Sequence, residues 1–218
     1  MSAPLRQHDQ PTGRVDFTMM FLTHDAFLRD LRRLAEAVAD GRTGEAAVRT
    51  GWETFKHQLH VHHVGEDEAI WPPLREALAG SAEIAVLDLM ETEHAAIDPL
   101  QDRIDAAFDE GGPQLAELVE EFTALLATHM DHEEEQALPL VETHLGPEGW
   151  AAYSQYMLAT GGLPEAGGYL AWLLDGAPAD VRATVLGPLP PPVRHLIHNQ
   201  FEPQYAAVPR WTDAAPAA

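Results

Sequence analysis

Two stretches of the sequence, FKHQLHVHHVGEDEAIWP at residues 55–72 and FTALLATHMDHEEEQALP at residues 122–139, repeat one pattern 67 positions apart. In each stretch a Phe and a Leu precede a His at helical spacing, a Glu follows that His by four residues, and a Pro ends the segment. Because four residues are little more than one helical turn, the His and the Glu share one helix face. Each stretch therefore predicts a helix with an imidazole and a carboxylate in its apolar seam. The pairs are His62 with Glu66 and His129 with Glu133.

Two more segments, one before the first stretch and one between the two, carry apolar residues at spacings of three and four. One His stands in the middle of each seam, His24 in the first segment and His94 in the third, and these correspond at a shift of 70 residues. The sequence therefore predicts two copies of one helix pair. Four long seams with short connections are typical of an all-α, up-down four-helix bundle, which we assign to residues 14–145.

Capping and breaking residues set the predicted boundaries of the four helices. Asp16 is the expected N-cap of the first helix and Gly41 its stop. Pro99 lies inside the third helix and is expected to bend it, because proline removes a backbone donor. Further breaks are expected at Pro72-Pro73, which lead into a short apolar turn to Leu78, at Gly111-Gly112 before Pro113, and near Pro139. The predicted helices cover residues 14–40, 44–71, 82–109 and 113–139.

From Gly146 onward the composition changes, with frequent Pro and Gly and most of the Tyr and Trp residues. Short helical pieces are expected around residues 147–159, 165–174 and 191–206. We predict a C-terminal helical extension over residues 146–218 that packs on the bundle or on a partner. Its aromatic residues allow a homodimer, and no chemical motif stands out in it.

Charge and composition exclude several classes of protein. Thirteen Lys and Arg against 35 Asp and Glu give a formal net charge of −22, whereas nucleic-acid and anionic-membrane binders need a basic surface. The absence of Cys excludes disulfides, thiolate metal sites and cysteine nucleophiles, so any metal must be held by nitrogen and oxygen. Residues 1–13 are polar and lack an apolar signal segment, so we expect a cytoplasmic protein with no nucleic-acid or membrane partner.

Six polar side chains interrupt the predicted seams and would meet inside the bundle. An unpaired buried polar group costs roughly 2–7 kcal/mol, and an unpaired carboxylate costs more. Bound cations remove this cost, and six ligands exceed the four of an ordinary zinc site, so we predict two ions that share carboxylates. The mixed imidazole and carboxylate set favours iron ahead of manganese or zinc. The predicted ligands are His24, His62, Glu66, His94, His129 and Glu133.

The other histidines and acidic residues receive structural interpretations. A single His on a seam is more often a hydrogen-bonded core residue than a ligand, so the metal prediction depends on the repeated conjunction of His and Glu. The acidic triplets at residues 66–68 and 133–135, taken alone, are typical of exposed helix faces. Histidines outside the repeat register are assigned to the surface or to the surroundings of the ligands: His57, His60, His63, His132 and His144. The surface or the extension receives His8, His195 and His198.

At these residues the sequence resembles the hemerythrin-like (HHE cation-binding) family. Its pattern is a His on helix one, His-x-x-x-Glu on helix two, a His on helix three and His-x-x-x-Glu on helix four. The resemblance covers residues 14–145 and includes the prolines that close the two His-x-x-x-Glu helices. It implies a non-heme di-iron centre, with two iron ions bridged by carboxylates and by an oxo, hydroxo or water oxygen. The matching segments are His24, His62-His63-Val64-Gly65-Glu66, Glu93-His94 and His129-Met130-Asp131-His132-Glu133.

One position departs from the oxygen-carrying hemerythrins, which have His-x-x-x-His on helix three. Here Met90 stands four residues before His94, so the sequence resembles the branch with a single helix-three His and spare coordination positions. Glu91, one turn before His94, is a candidate for one of these positions. Glu91-Thr92-Glu93-His94 also matches the Glu-x-x-His motif of ferritin-like proteins, but that fold needs two such motifs and the sequence contains one.

A di-iron site with spare positions suits reactive small molecules better than reversible oxygen carriage. The first hypothesis is a protein that binds or consumes dioxygen, peroxide or nitric oxide, with catalase- or peroxidase-like activity as an example. The four His would be terminal ligands, and Glu66 and Glu133 would bridge the ions. The residues expected to wall the pocket are Phe21, Met90 and Phe122. The alternatives are an iron or oxygen sensor that signals through residues 146–218, and a metal-free acidic helical interaction module.

Overall fold

The computed structural model describes residues 13–108 and 113–212, over which the chain forms helices and no strand. The all-α prediction is therefore confirmed. The α-helices are α1 (Thr18–Ala39), α2 (Ala46–Ala69), α3 (Trp71–Ala77), α4 (Ile84–Phe108), α5 (Pro113–His132), α6 (Leu138–His144), α7 (Gly146–Leu173), α8 (Ala179–Leu186), α9 (Pro191–Leu196) and α10 (Glu202–Ala206). Two π-helical segments, Glu133–Ala137 and Ile197–Phe201, join α5 to α6 and α9 to α10.

The four long helices α1, α2, α4 and α5 form a bundle whose sides are unequally packed. α4 packs along α5, α5 along α1 and α1 along α2, whereas α2 and α4 approach each other over only a short length. The α2–α4 side therefore leaves room for a groove.

The bundle core consists of two apolar clusters separated by a polar layer. One cluster contains Phe27 and Phe122, and the other contains Phe21 and Met90. On α1, Phe21 belongs to one cluster and Phe27 to the other, and His24 lies fully buried between them. Burial of a large apolar side chain contributes roughly 1.5–3 kcal/mol, so both clusters stabilise the helices that carry the polar layer.

The predicted stop of α1 is correct, whereas its predicted N-cap is wrong. Phe17 is the N-cap, so the prediction of Asp16 at that position is wrong, although the Asp16 carboxylate accepts a hydrogen bond from the Thr18 N–H at 2.9 Å. Gly41 has a φ of 69° after α1, as expected of a glycine stop. The predicted end of the third helix at Asp109 and the Gly111-Gly112 break lie outside the described residues.

Prolines that the sequence predicts as helix stops lie in the first turns of new helices, where a missing N–H breaks no helical bond. Pro72-Pro73 lie in the first turn of α3, so a short helix replaces the predicted turn to Leu78. The fourth helix does not end near Pro139; it continues through the π-helical segment Glu133–Ala137 into α6. Pro99 lies inside α4, and the bend that it should cause stays a prediction.

The C-terminal region forms α7 to α10, and α7 contacts both α1 and α2. Gly162 interrupts α7 with a φ of 67° and a ψ of −173°, and the two halves correspond to the pieces predicted at 147–159 and 165–174. The sequence analysis did not predict α8. Within the part of the chain that the structure describes, no helix combines the length and apolarity of a membrane span.

A buried ionic network fastens α7 to α1. Trp172 is fully buried, and its indole N–H donates to Oδ2 of the buried Asp30 at 2.7 Å. Arg33 donates to Asp30 at 3.0 Å and to Asp175 at 2.7 Å, and Arg29 donates to Asp30 at 2.8 Å. Two guanidinium groups and an indole thus balance the Asp30 carboxylate, as burial of a charge requires. This network docks the extension on the α1–α2 side of the bundle.

Candidate metal centre

The polar layer gathers His and Glu side chains into two groups. The first cluster consists of His24, His62 and Glu133, and the second cluster consists of His63, Glu66, His94 and His129. Within each cluster, one ligand-type atom from every residue lies within 4.8 Å of the others. The structure thus brings all six predicted ligands together, three in each cluster, and adds His63 to the second.

Glu66 lies between the two clusters. The four-residue spacing on α2 brings His62 and Glu66 to one face, with His62 Nε2 3.0 Å from Glu66 Oε1. The other oxygen, Oε2, lies 3.5 Å from His94 Nε2 across the bundle. Glu66 therefore faces one cluster with each carboxylate oxygen, which is the arrangement that a bridging carboxylate needs.

Carboxylates orient three of the histidines from behind. The Nδ1 atoms lie 2.6 Å from Glu134 in His24, 3.0 Å from Asp67 in His94 and 3.1 Å from Glu93 in His129. Because a carboxylate can only accept, Nδ1 carries the proton in each contact. The Nε2 atoms therefore face the clusters, and a carboxylate behind an imidazole is how metal-binding histidines are commonly oriented.

The clusters contain buried polar atoms that no hydrogen bond satisfies within the described residues. They are Nε2 of His24, His62 and His63, and both carboxylate oxygens of Glu66 and Glu133. His24 Nε2 and Glu133 Oε2 approach to 3.2 Å without hydrogen-bond alignment. Atoms that crowd together without pairing are typical of ligands directed at a common cation. This set of nitrogen and oxygen donors fits iron and similar divalent metals.

The Nε2 atoms of His94 and His129 also crowd together, because they lie only 3.1 Å apart. With Nδ1 of each ring donating to a carboxylate, the Nε2 atoms of two neutral rings are both acceptors. Either a proton held between the two Nε2 atoms or a cation bound to both gives each nitrogen a partner.

Protonation differs between the two clusters. Burial opposes charge on His24, but Glu133 and Glu134 outweigh burial and raise the pKa of His24 to about 10. His24 in turn lowers the pKa of Glu133 although burial opposes this. In the second cluster, burial raises the pKa of Glu66 well above its usual range and lowers the pKa of His63. Without metal, the first cluster therefore favours an ion pair and the second favours neutral forms of Glu66 and His63.

Of the two places that the sequence analysis assigned to His63, the surface is wrong, and the surroundings of the ligands stay a prediction. Its side chain is 9% exposed, its ring stacks on that of His94 with centroids 4.1 Å apart, and it belongs to the second cluster. The repeat misled here because Met130 takes the corresponding place in the other half. An argument from register favours only residues that recur.

The acidic triplets follow the predicted exposure only in part. Asp67, Glu68 and Glu135 are exposed as predicted, whereas Glu134 is 14% exposed behind His24, and the exposed Asp67 also contacts His94. The signal was present in the repeat. Asp67 and Glu134 correspond at the same 67-residue shift as the ligands, and they hold two histidines that also correspond.

The other singled-out residues lie outside both clusters. His57 is 52% exposed beside Glu165, and His132 contacts Glu93 at 2.6 Å. Glu91 is 57% exposed and accepts a hydrogen bond from Arg75, so the structure does not bring it into either cluster. The other exposed histidines are His60, His144, His195 and His198. His8 lies outside the described residues. The three expected wall residues, Phe21, Met90 and Phe122, are buried in the adjoining apolar clusters.

Two sides of α2 differ in how they are covered. A groove of about 570 Å³ lies between α2 and α4, and its lining includes His63 and His94. On the other side, α7 packs against α2 at Gly65, where a Cβ atom would collide with Met157 and come within 3.2 Å of the Tyr153 ring. The second cluster therefore borders a groove, whereas α7 covers the α1–α2 side.

Comparison with known families agrees with this geometry. The family model described as the hemerythrin HHE cation-binding domain matches residues 16–141, close to the bundle predicted at 14–145 and more than half of the chain. No curated protein and no solved structure matches the chain.

Proposed function

The chain belongs to the family of the hemerythrin HHE cation-binding domain, and we propose that it is a non-heme di-iron protein that binds or turns over small oxidants. The observation that carries the proposal is the set of buried, unsatisfied nitrogen and oxygen atoms in two adjoining clusters. Leaving such atoms unpaired costs several kcal/mol, and two divalent ions would satisfy them together. Mixed imidazole and carboxylate ligands favour iron, with manganese or zinc as weaker candidates.

The residues at the site would have different roles in holding the metal. The cluster histidines would hold the ions as terminal ligands, and Glu66 and Glu133 would bridge them, with an oxo, hydroxo or water oxygen as the further bridge. Bound iron would supply one-electron redox chemistry. Glu134, Asp67 and Glu93 hold three histidines in the tautomer that presents Nε2 to the metal. The apolar clusters on either side of the polar layer shield it from water except where the α2–α4 groove borders it.

The proposed partners are small molecules: dioxygen, peroxide and nitric oxide, with catalase- or peroxidase-like turnover as one form of the activity. Seven side chains shared between two ions would leave each ion with coordination positions that the protein does not fill. The groove that reaches His63 and His94 gives such molecules access to the second cluster. The homodimer stays a prediction, and one of the aromatic residues behind it, Trp172, is used within the chain to dock α7.

Metal analysis of matched variants tests this proposal. Protein loaded anaerobically with ferrous iron should hold two irons per chain and develop an oxygen-to-iron charge-transfer absorption on exposure to air. The double variant His62→Ala/His129→Ala leaves His24 and Glu133 in the first cluster and three residues in the second, so it should hold at most one iron per chain, bound more weakly than in the wild type. His57→Ala removes an exposed imidazole and should load like the wild type.

Two results would contradict different parts of the proposal. A wild-type chain that binds no iron under these conditions would overturn it completely. A chain with two irons that reacts with none of the three oxidants would keep iron binding and overturn the oxidant chemistry.

One contact favours a second candidate, an iron or oxygen sensor. α7 of the extension packs on Gly65, the neighbour of the bridging candidate Glu66, so a change in metal state has a direct route to residues 146–212. In that case chelation should speed proteolysis within the extension. Equal cleavage rates in loaded and chelated protein would argue against a sensor. The metal-free interaction module is disfavoured because it leaves the cluster atoms unsatisfied.

A further inference from the structure

The groove between α2 and α4 has a lining with more negative than positive groups. Of its charged side chains, Asp67, Glu91 and Asp98 are acidic, and Arg75 is basic. Arg75 donates to Glu91 at 2.7 Å and to Asp88 at 2.9 Å, so its charge is largely engaged. A groove with this balance attracts cations and repels anions.

At its inner side the groove meets a side chain that points to a ligand. His63 lines the groove, is 9% exposed, and has an Nε2 atom with no hydrogen-bond partner within the described residues. His94 lines the groove as well, with Asp67 on its Nδ1 at 3.0 Å. Carboxylate oxygens in the groove are thus followed by imidazole nitrogens in the second cluster.

Neutral oxidants gain nothing from such a charge gradient, whereas a hydrated divalent cation does. Hard carboxylate oxygens can replace the water ligands of the cation one at a time, and imidazole nitrogens then bind first-row metals more tightly. We propose that the α2–α4 groove is the loading route for the divalent metal, with Asp98 and Asp67 attracting the cation and His63 receiving it. This inference rests on the proposed function, since it presumes that the clusters bind metal.

Loading kinetics test the role of charge with a matched pair on α4. Asp98 and Asp102 are both exposed on this helix, and Asp98 lines the groove while Asp102 does not. Stopped-flow mixing of the metal-free full chain with Co²⁺ follows uptake by the visible absorption of the bound ion. At low ionic strength, Asp98→Asn should slow uptake about threefold or more, and Asp102→Asn should have a clearly smaller effect. The difference should shrink at about 0.5 M salt because screening shortens the range of the field.

A second pair tests the path sterically. Ala95 lines the groove and its neighbour Ala96 does not, and both are exposed. Ala95→Phe should slow Co²⁺ uptake by about tenfold or more, while Ala96→Phe should load at the wild-type rate. The final metal content should be the same in all four variants, since none of these residues belongs to a cluster.

The outcomes separate this inference from the proposed function. A wild-type chain that binds no metal at equilibrium overturns both. Full metal content combined with equal loading rates in the two members of each pair overturns the route alone. Slow loading of Asp98→Asn and Ala95→Phe, each relative to its neighbour control, supports the route.

Discussion

The two ligand clusters come from one repeat and yet have different surroundings. Three residues correspond between them, as the 67- and 70-residue shifts require: His24 with His94, His62 with His129, and Glu133 with Glu66. Glu134 and Asp67, whose carboxylates contact Nδ1 of His24 and Nδ1 of His94, correspond as well. The clusters differ at His63, whose counterpart is Met130, and in that the second cluster borders the groove. The internal repeat thus accounts for the geometry that the two clusters share, and His63 and the groove make the second cluster chemically distinct from the first.

The C-terminal extension is the physical cause of part of this asymmetry. α7 covers the α1–α2 side, where Phe27 packs with ring centroids 5.4 Å from His62 and 5.2 Å from Trp172. On the α2–α4 side no comparable helix covers the groove among the described residues. The cluster of three candidate ligands is therefore the more enclosed one, and the cluster of four lies next to the open side.

The largest expected effect is on metal binding, in two variants that each lack a histidine of one cluster. His24→Ala leaves the first cluster with only His62 and Glu133, so we expect the chain to hold one metal ion instead of two. His63→Ala leaves three ligands in the second cluster, so we expect two ions, with the affinity of one lowered by about 10–100-fold or more. Equilibrium dialysis against Zn²⁺ with a competing chelator measures both the number of ions and their affinities.

The reverse substitution sharpens this test. Met130→His places an imidazole where the repeat lacks the counterpart of His63, and it should tighten metal binding by the first cluster. If His24→Ala and His63→Ala instead lose metal to the same degree, the clusters do not differ in the way their ligand counts indicate.

The sequence predicted the parts of this structure that depend on spacing. The seams at three and four residues specified the helices, and the recurrence of His62 with Glu66 as His129 with Glu133 specified which polar residues share the layer. Gly41 acted as a stop because its positive φ is a local property of glycine. These features are determined within one helix or by the spacing of the internal repeat, so they need no tertiary information.

Features without an internal counterpart could not be found in the same way. Nothing in the spacing distinguishes His63 from the exposed His60, because burial depends on how α4 and α5 face α2. The covering role of α7 depends on Gly65, whose lack of a Cβ matters only once Met157 lies against it. Pro139 was expected to end a helix, and a π-helical segment lets the chain continue, which no local rule specifies.

A smaller effect is expected from loosening the cover of the first cluster. Trp172→Phe removes the indole N–H that donates to the buried Asp30 carboxylate, and a lost hydrogen bond to a charged group costs about 1.5–3 kcal/mol. Urea unfolding should show this loss of stability, and chelators should extract metal faster from the variant. Trp71→Phe is the matched control, because Trp71 is equally buried but its Nε1 makes no hydrogen bond within the described residues. Equal losses in both variants would assign the effect to side-chain volume and not to the network.

The smallest expected effect concerns pH and the contact between α7 and α1 beside His24. Tyr169 on α7 and Thr23 on α1 share a hydrogen bond of 2.6 Å. Burial raises the pKa of Tyr169 to about 12, although the bond to Thr23 lowers it. An unfolded tyrosine titrates near pH 10, whereas the folded chain keeps the Tyr169 proton to about pH 12. The stability that this proton contributes is therefore complete below pH 10 and is lost between pH 10 and about 12. In the chelated protein, the free energy of unfolding of the wild type should fall by about 1–2 kcal/mol more over this window than that of Tyr169→Phe, which has no hydroxyl to titrate. Urea titrations at intervals between pH 9 and 11.5 measure the difference, and parallel pH profiles for the two proteins would show that the folded chain does not raise the pKa of Tyr169.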